Sequence, residues 1–238
     1  MLFGSFFFEF TMLQEIQCRA VAVSSFNYRD YDRIVTFYSD AFGIIKAIVH
    51  GANRPKSSKR IFCEPLTYLE LVIRLKKGDI HSFKEGKIIN AHLDLRNSYD
   101  HLAVAMKLLE ITSKTQLPGD PSERVFNLLL STLKKIPSFK NPWILESFFI
   151  LKILIASGQW TLQSKCSRCH KPLDEFYYSH NGYYCKSCSP TMQLKFDGSE
   201  ILTLTQLIQE RSFTALNEIN LSKNLQDKIE KLFLSAYQ

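Results

Sequence analysis

The sequence predicts a multi-domain α+β protein: an N-terminal five-stranded OB-type β-barrel, then an α-helical domain carrying an inserted four-cysteine zinc module. Three observations lead there. Short runs before residue 90 alternate apolar and polar residues with the two-residue period of half-buried strands. From Ala91 the apolar residues recur at three and four, the helical period. Two Cys-x-x-Cys pairs, Cys166/Cys169 and Cys185/Cys188, then interrupt the helical part with fifteen residues between them. A chain of 238 residues with 45% hydrophobic content suits one large or two modest globular domains. The expected division is a barrel over 13–90, helical segments over 91–159 and 196–238, and a zinc module over 160–195.

The barrel strands are expected at Ile16 to Ser24, Arg33 to Ser39, Ile44 to His50, Leu66 to Lys76 and Ile80 to Ile89. Polar turns at Asn27-Tyr28-Arg29-Asp30 and Asp40 to Gly43 separate the first three. In the third strand Ile45, Ala47 and Val49 share one face, with Lys46 and His50 on the other. In the fourth, Leu69, Leu71, Ile73 and Leu75 lie opposite Tyr68, Arg74 and Lys76. Five short, closely spaced strands fit a small, partly open barrel of the OB type.

Tyr99, Leu102, Ala103, Met106 and Leu109 repeat at three and four and predict the buried stripe of a first helix. Asp120-Pro121-Ser122-Glu123 reads as the next start, with an N-cap acid, Pro in the first position and Glu in the third. That helix runs to about Ile136, before Pro137. Asn141-Pro142 opens a third, apolar nearly all round, which Gly158 ends; such a helix belongs at the centre of a bundle. Helices resume after Gly198, closing with the stripe Leu225, Ile229, Leu232, Phe233 and Ala236.

The cysteine pairs have the spacing of a zinc knuckle or ribbon, with each tight turn presenting two sulfurs to one ion. Between them, Phe176 to Tyr178, a turn at Asn181-Gly182 and then Tyr183-Tyr184 predict a hairpin that brings the second pair beside the first. Cys166, Cys169, Cys185 and Cys188 are therefore the expected ligands of one structural Zn2+. The run Cys166-Ser-Arg-Cys169-His170 also spells a haem-attachment pattern, but that leaves Cys185 and Cys188 unexplained. A thioredoxin-like pair needs a strand–helix context. A catalytic zinc keeps a position open, whereas four thiolates close the shell, and no deaminase pattern is present. His170 and His180 read as surface histidines or neighbours of the ligands. Cys18 and Cys63 read as buried, reduced residues, as in a reducing cytoplasm.

The net charge of +7 favours a polyanionic partner. Residues 1–88 carry +4 and residues 160–195 carry +3, while residues 196–238 carry −2. The loop holding Arg54, Lys56, Lys59 and Arg60 contains no acid. It is either a solvated loop or a phosphate-tracking one beside a barrel face with Arg33, Lys46 and Arg74. These seven are the candidate DNA-binding residues, and Tyr28, Tyr31, Tyr38 and Tyr68 the candidate stacking platforms. No phosphate-cradling Gly-rich loop, placed carboxylate pair or nucleophile–base pairing emerges, so no enzyme is expected. The apolar run from Trp143 to Ala156 is too short for a membrane span and carries Glu146 and Lys152. Residues 1–12 stand apart. Crowded with Phe and lacking an early positive charge, they do not match a signal peptide. Met12 is a more conventional start, so the preceding eleven are either a translation-start extension or part of the fold.

In this order of parts the chain resembles the bacterial RecO family of DNA repair proteins, over roughly residues 13–238. The resemblance is carried by Asp32-Arg33-Ile34-Val35-Thr36-Phe37 running into Gly43, by Gly51-Ala52 with Arg54, Lys56 and Ser57, and by Phe149 to Leu154 leading to Gly158, Leu162 and Cys166. Thr161 stands where that family often has Pro, and His170 where Gly is common. The resemblance implies a cytoplasmic, nucleoid-associated recombination mediator without enzymatic activity. Such a protein binds single- and double-stranded DNA, anneals complementary strands, contacts RecR and the acidic tail of single-stranded DNA-binding protein, and so helps RecA load. A peptide ending in acid and apolar residues would need an apolar helical groove with a basic rim. The alternatives are a zinc-ribbon/OB RNA-binding or ribosome-associated protein, a zinc enzyme, and a structural adaptor.

Overall fold

The computed structural model describes residues 14–179, 182–190 and 194–237. The start extension, His180 and Asn181 lie outside them. The chain forms two compact units: residues up to 91 with 116–123, and residues 92–115 with 124–238.

The first unit is a closed barrel in the order β1-β2-β3-β5-β4, so the partly open barrel expected from the sequence is in fact closed. Its strands are β1 (Glu15–Tyr28), β2 (Asp32–Ser39), β3 (Gly43–Val49), β4 (Tyr68–Arg74) and β5 (Ile80–Asn90). All neighbours pair antiparallel except β3 with β5, which are parallel. Alternation fills the interior with Ile16, Cys18, Ala20, Ala22, Val35, Phe37, Ile45, Ala47, Val49, Leu69, Leu71, Ile73 and Phe83. Burial pushes the thiols of Cys18 and Cys63 up to about 11, so both stay protonated.

Strand β1 is longer than the sequence suggests and carries a bulge. Ala22 faces Phe37, but Ser24 faces Thr36, so Val23 is the extra residue. A bulge shifts the phase of everything after it. Even-numbered residues point inward before it, whereas afterwards Ser25 shares the inward register of Val35, and Phe26 turns outward, 55% exposed.

Residues 116–123 clamp the β2–β3 hairpin. Leu117 O accepts from Ile44 N, Phe42 O accepts from Gly119 N, and Gly43 bridges to Pro118. Gly43 has φ +65, and a Cβ there would collide with Leu117 O, so the close approach requires glycine. The same segment covers Tyr38, whose hydroxyl donates to Gln116 Oε1 and to Ser122 O, both at 3.1 Å. This bracing explains why the second helix starts at Glu123 and not at the Asp120-Pro121 signal: Leu117, Gly119 and Ser122 are bonded to the barrel, and Asp120 is bridged back to Leu117.

In the second unit the helices are α1 (Tyr99–Thr115), α2 (Glu123–Lys135), α3 (Trp143–Ala156), α4 (Gly198–Gln209), α5 (Phe213–Leu216) and α6 (Lys223–Ala236). As its all-round apolarity predicts, α3 is central, packed against α1, α4 and α6. Gly158, at φ +69, follows its C-terminus. The buried stripe of α1 is Val104, Ala105, Leu108, Leu109, Ile111 and Thr112. Tyr99 and Met106 are exposed, so only Leu109 of the expected stripe is in the core. Both faces of α1 carry apolar residues, and periodicity alone selected the wrong one. No helix among the described residues is long and apolar enough to cross a membrane.

Within this unit, β6 (Phe176–Ser179), β7 (Gly182–Tyr184) and β8 (Leu194–Phe196) form a three-stranded antiparallel sheet ordered β7-β6-β8. Ser179 pairs with Gly182, which places Gly182 in a strand and not in the turn. Strand β8 adds an edge that the sequence pattern did not reveal. Trp160, Phe176, Tyr178, Tyr183 and Phe196 are buried, and ring contacts of 4.7–6.4 Å join them into an aromatic core.

Candidate nucleic-acid interface and metal centre

The cysteine turns come together as their spacing predicts. The Sγ atoms of Cys166, Cys169, Cys185 and Cys188 all lie within 4.8 Å of one another. Cys169 and Cys185 are 3.8 Å apart. A tetrahedron of sulfurs about 2.3 Å from one ion has edges of about 3.8 Å, so the donor set fits zinc in both chemistry and size. Backbone N–H groups aim at the cluster, including Cys185 N at 3.5 Å from Cys166 Sγ. Burial works against the Cys166 thiolate, but N–H groups of Cys169, Cys185 and Arg168 bring its pKa down to about 6. Hydrogen bonding to Cys185, then burial and the other sulfurs, pushes Cys188 up to about 12. A divalent cation at the centre of the four sulfurs would hold them as thiolates. His170, at φ +59, holds the left-handed conformation that glycine adopts without strain, and its N–H caps Cys166 O at 2.9 Å.

At the barrel, the loop after β3 is an ordered structure. Asp32 accepts from Gly51 N and from His50 Nδ1, both at 2.8 Å, and Asn53 N donates to Tyr31 O. The Gly51 hydrogen bond is the main cause of a lowered Asp32 pKa. Ser57 caps a 3-10 turn, Ser58–Cys63. Ala52, Cys63 and Leu66 are buried beneath. These anchors hold Arg54, Lys56, Lys59 and Arg60 exposed on one loop. The Arg54 guanidinium lies 5.6 Å from the centre of the half-exposed Tyr31 ring, and Arg29 lies 5.1 Å from that of Tyr28. Lys59 Nζ donates to His50 O at 3.2 Å.

Of the three strand cations, Lys46 and Arg74 point outward from the barrel and Arg33 does not. Lys46 points outward from β3, opposite Thr36, beside a cross-strand row made by Phe26, Ile34 and Ile48. Arg33 lies in the inward register of Val35, its side chain 16% exposed, with Glu64 Oε1 at 3.5 Å. Arg74 is on β4, where its Nε and a terminal nitrogen both donate to Glu15 Oε1, at 3.0 and 2.8 Å. Carboxylates 31 and 59 residues away in sequence thus neutralise two of the expected cations. Among the aromatic candidates, Tyr28, Tyr31 and Tyr68 are at least partly exposed, whereas Tyr38 is fully buried and is a packing residue. The sequence reading missed Phe26, because the bulge inverts the alternation that would place it inside.

A second concave surface lies in the helical unit. Arg124, Asn127, Leu128 and Ser131 recur at three and four along α2, and Phe148 and Lys152 are one turn apart on α3. With Glu210, Arg211 and Phe213 they line a groove of about 600 Å3. Phe148 and Phe213 meet edge to face at 5.8 Å. Lys152 Nζ donates to Ile208 O and Glu210 O at 2.7 and 3.1 Å, which fixes its ammonium over the Phe148 ring. Burial, then Arg124 and Arg211, lowers the Lys152 pKa. The floor is therefore aromatic, and the rim carries Arg124, Lys152 and Arg211 beside the Glu210 carboxylate. The lone Lys152 in an apolar helix was the available sequence signal.

Two family models match the chain, one described as the recombination protein O N terminal, over residues 12–92, and one as the recombination protein O C terminal, over 96–238. The chain belongs to the recombination protein O family. The family that the sequence motifs resemble is thus its own. Curated relatives named "DNA repair protein RecO" include one from Mesoplasma florum, 26% identical over 232 residues, covering 94% of this chain and 86% of the relative. Another, from Desulforamulus reducens, is 27% identical over 222 residues, covering 91% and 86%. A third, from Chlamydia muridarum, is 26% identical over 205 residues, covering 85% and 87%. The match to recombination protein O thus spans both units of the fold.

Proposed function

We propose that this chain is a recombination mediator in DNA repair that works by binding and not by making bonds. The observation that carries the proposal is the barrel loop, where four exposed cations stand on a framework fixed by Asp32 and Asn53 beside the Tyr31 and Tyr28 rings. Cations along a surface neutralise phosphates without reading sequence, and aromatic rings stack on unpaired bases. Arg54, Lys56, Lys59, Arg60 and Lys46 are the residues proposed to meet DNA, single- or double-stranded, with Phe26 as an added platform. Arg33 and Arg74, each paired with a carboxylate, are proposed to contribute less to that contact than the loop cations. Annealing needs only charge neutralisation and exposed bases.

The four cysteines would hold one Zn2+, which would supply a structural cross-link between the two knuckles. The helical groove has the chemistry for a peptide that ends in acid and apolar residues. Phe148 and Phe213 would take the apolar side chains, and Arg124, Lys152 and Arg211 the carboxylates. That supports docking of the tail of single-stranded DNA-binding protein, with RecR as a further partner and RecA loading as the outcome. Such a protein would act in the bacterial cytoplasm, at the nucleoid.

The test is annealing of complementary oligonucleotides precoated with single-stranded DNA-binding protein. Acceleration at moderate salt is expected. DNA binding without acceleration would refute the mediator role, and preference for RNA over matched DNA would favour the RNA-binding alternative.

A further inference from the structure

The zinc module has more aromatic residues than its core uses. Its inner face is filled by Phe176, Tyr178, Tyr183 and Phe196, with Trp160 beneath. On the outer face, Tyr177 of β6 stands between Tyr184 of β7 and Lys195 of β8, as register partners on either side. Strand pleating places these three side by side on one surface. Tyr177 and Tyr184 are both partly exposed.

Two features fix this surface. A Cβ on Gly182 would lie 2.6–2.8 Å from Tyr184 ring and hydroxyl atoms. Glycine there leaves room for the Tyr184 ring, which leans back over position 182 of its own strand. Beside it, Lys195 Nζ sits 5.7 Å from the Tyr177 ring centre, oriented by Glu175 Oε2 at 2.9 Å. Exposed Lys165, Arg168, Lys171 and Lys186 complete the cations of the module, against Asp174 and Glu175.

We propose that Tyr177 and Tyr184, with Lys195 at their edge, form a stacking platform for unpaired bases of single-stranded DNA. The proposal rests on the nucleic-acid reading of the chain and adds a binding site in the second unit. Neighbouring cross-strand aromatic rings suit bases of any identity, and Lys195, held by Glu175, sets the edge of the Tyr177 ring. Four thiolates and one divalent ion would cancel most of the module's positive charge. Binding here is therefore driven by stacking, and its contribution varies little with salt, unlike that of a lysine-rich loop.

The experiment uses the full-length, zinc-loaded protein and a dT oligonucleotide in which some thymines are replaced by 5-iodouracil. Ultraviolet cross-linking with peptide mapping is expected to label Tyr177 or Tyr184. Tyr177→Ala should weaken binding about fivefold or more at every salt concentration, and Tyr177→Phe should restore it. Zinc content and near-ultraviolet circular dichroism report whether each variant keeps the module folded. Because Tyr184 adjoins Cys185, Lys195→Ala serves as the independent second variant, with a smaller loss expected. Parent-like binding by folded Tyr177→Ala, with cross-links on barrel peptides only, would overturn the platform and leave the barrel site standing. Loss of RecR binding with DNA binding intact would assign the face to a protein and equally overturn it. Absence of DNA binding by the parent would refute the nucleic-acid reading itself.

Discussion

Replacing Arg54, Lys56, Lys59 and Arg60 together with Ala tests the barrel interface where it is most exposed to refutation. The loop should survive, because its shape depends on Asp32, Asn53 and Ser57, which remain. The side chains removed lose one surface hydrogen bond, from Lys59 to His50 O, and one ring contact, from Arg54 to Tyr31. If all four touch phosphates of a single strand, the slope of log affinity against log salt flattens by about 2.8, at about 0.7 per contact. Raising salt from about 50 to about 200 mM should then cost the variant about 50-fold less affinity than it costs the parent. Fluorescence anisotropy of a labelled dT oligonucleotide through a salt series measures this directly. Arg74→Ala is the control: its guanidinium is held by Glu15, so its slope should match that of the parent. An unchanged slope in the quadruple variant would remove the loop from the interface, however basic it is.

Four further outcomes follow from the same structure. Chelating the metal should unfold the module, since structural zinc contributes roughly 10 kcal/mol or more in small zinc peptides. A red shift of Trp160 fluorescence would report it, and parent-like emission after complete metal removal would refute the structural role. Tyr38→Phe removes the hydroxyl that donates to Gln116 and Ser122 and should cost the first unit about 1 kcal/mol or more in urea unfolding. His170→Gly relieves a left-handed residue and should stabilise the module by about 0.5–1 kcal/mol, read as a higher melting temperature. The fourth concerns Glu146, buried on α3, whose pKa is raised first by burial and then by Glu230. Between the unfolded and folded values the folded form keeps a proton that the unfolded form has released, so its contribution falls as pH rises through that window. Glu146→Gln should therefore stabilise the protein at neutral pH, with the advantage vanishing in acid. Equal stabilisation at both pH values would contradict this.

What the sequence made legible was whatever depends on near neighbours. Alternation identified the inward faces of β3 and β4, and cysteine spacing identified four sulfurs that converge. The all-apolar helix sits at the centre of its unit, as a helix with no polar face must. The failures each involve a distant partner or a local irregularity. Nothing near Asp120 announces that its segment is committed to the β2–β3 hairpin, so a good helix-start signal there went unused. On α1 two apolar faces compete, and only the packing of α3 decides between them. Strand β8 has three residues, too few for any period to register.

The candidate interface shows the same division with a sharper consequence. Seven cations looked equivalent by charge, yet what each can offer a phosphate depends on whether a carboxylate already holds it. Arg33 and Arg74 are held, and the four on the loop are not held by any carboxylate among the described residues. One inserted residue in β1 has a comparable effect on the aromatic residues. Without the bulge at Val23, Phe26 would occupy the inward register and add to an already filled interior; with it, the ring stands outside beside Ile34, two residues along the strand from Thr36 and its partner Lys46. On the proposed reading, what this barrel can offer a nucleic acid depends less on how many basic and aromatic residues it contains than on which of them the fold leaves unpaired and turned outward.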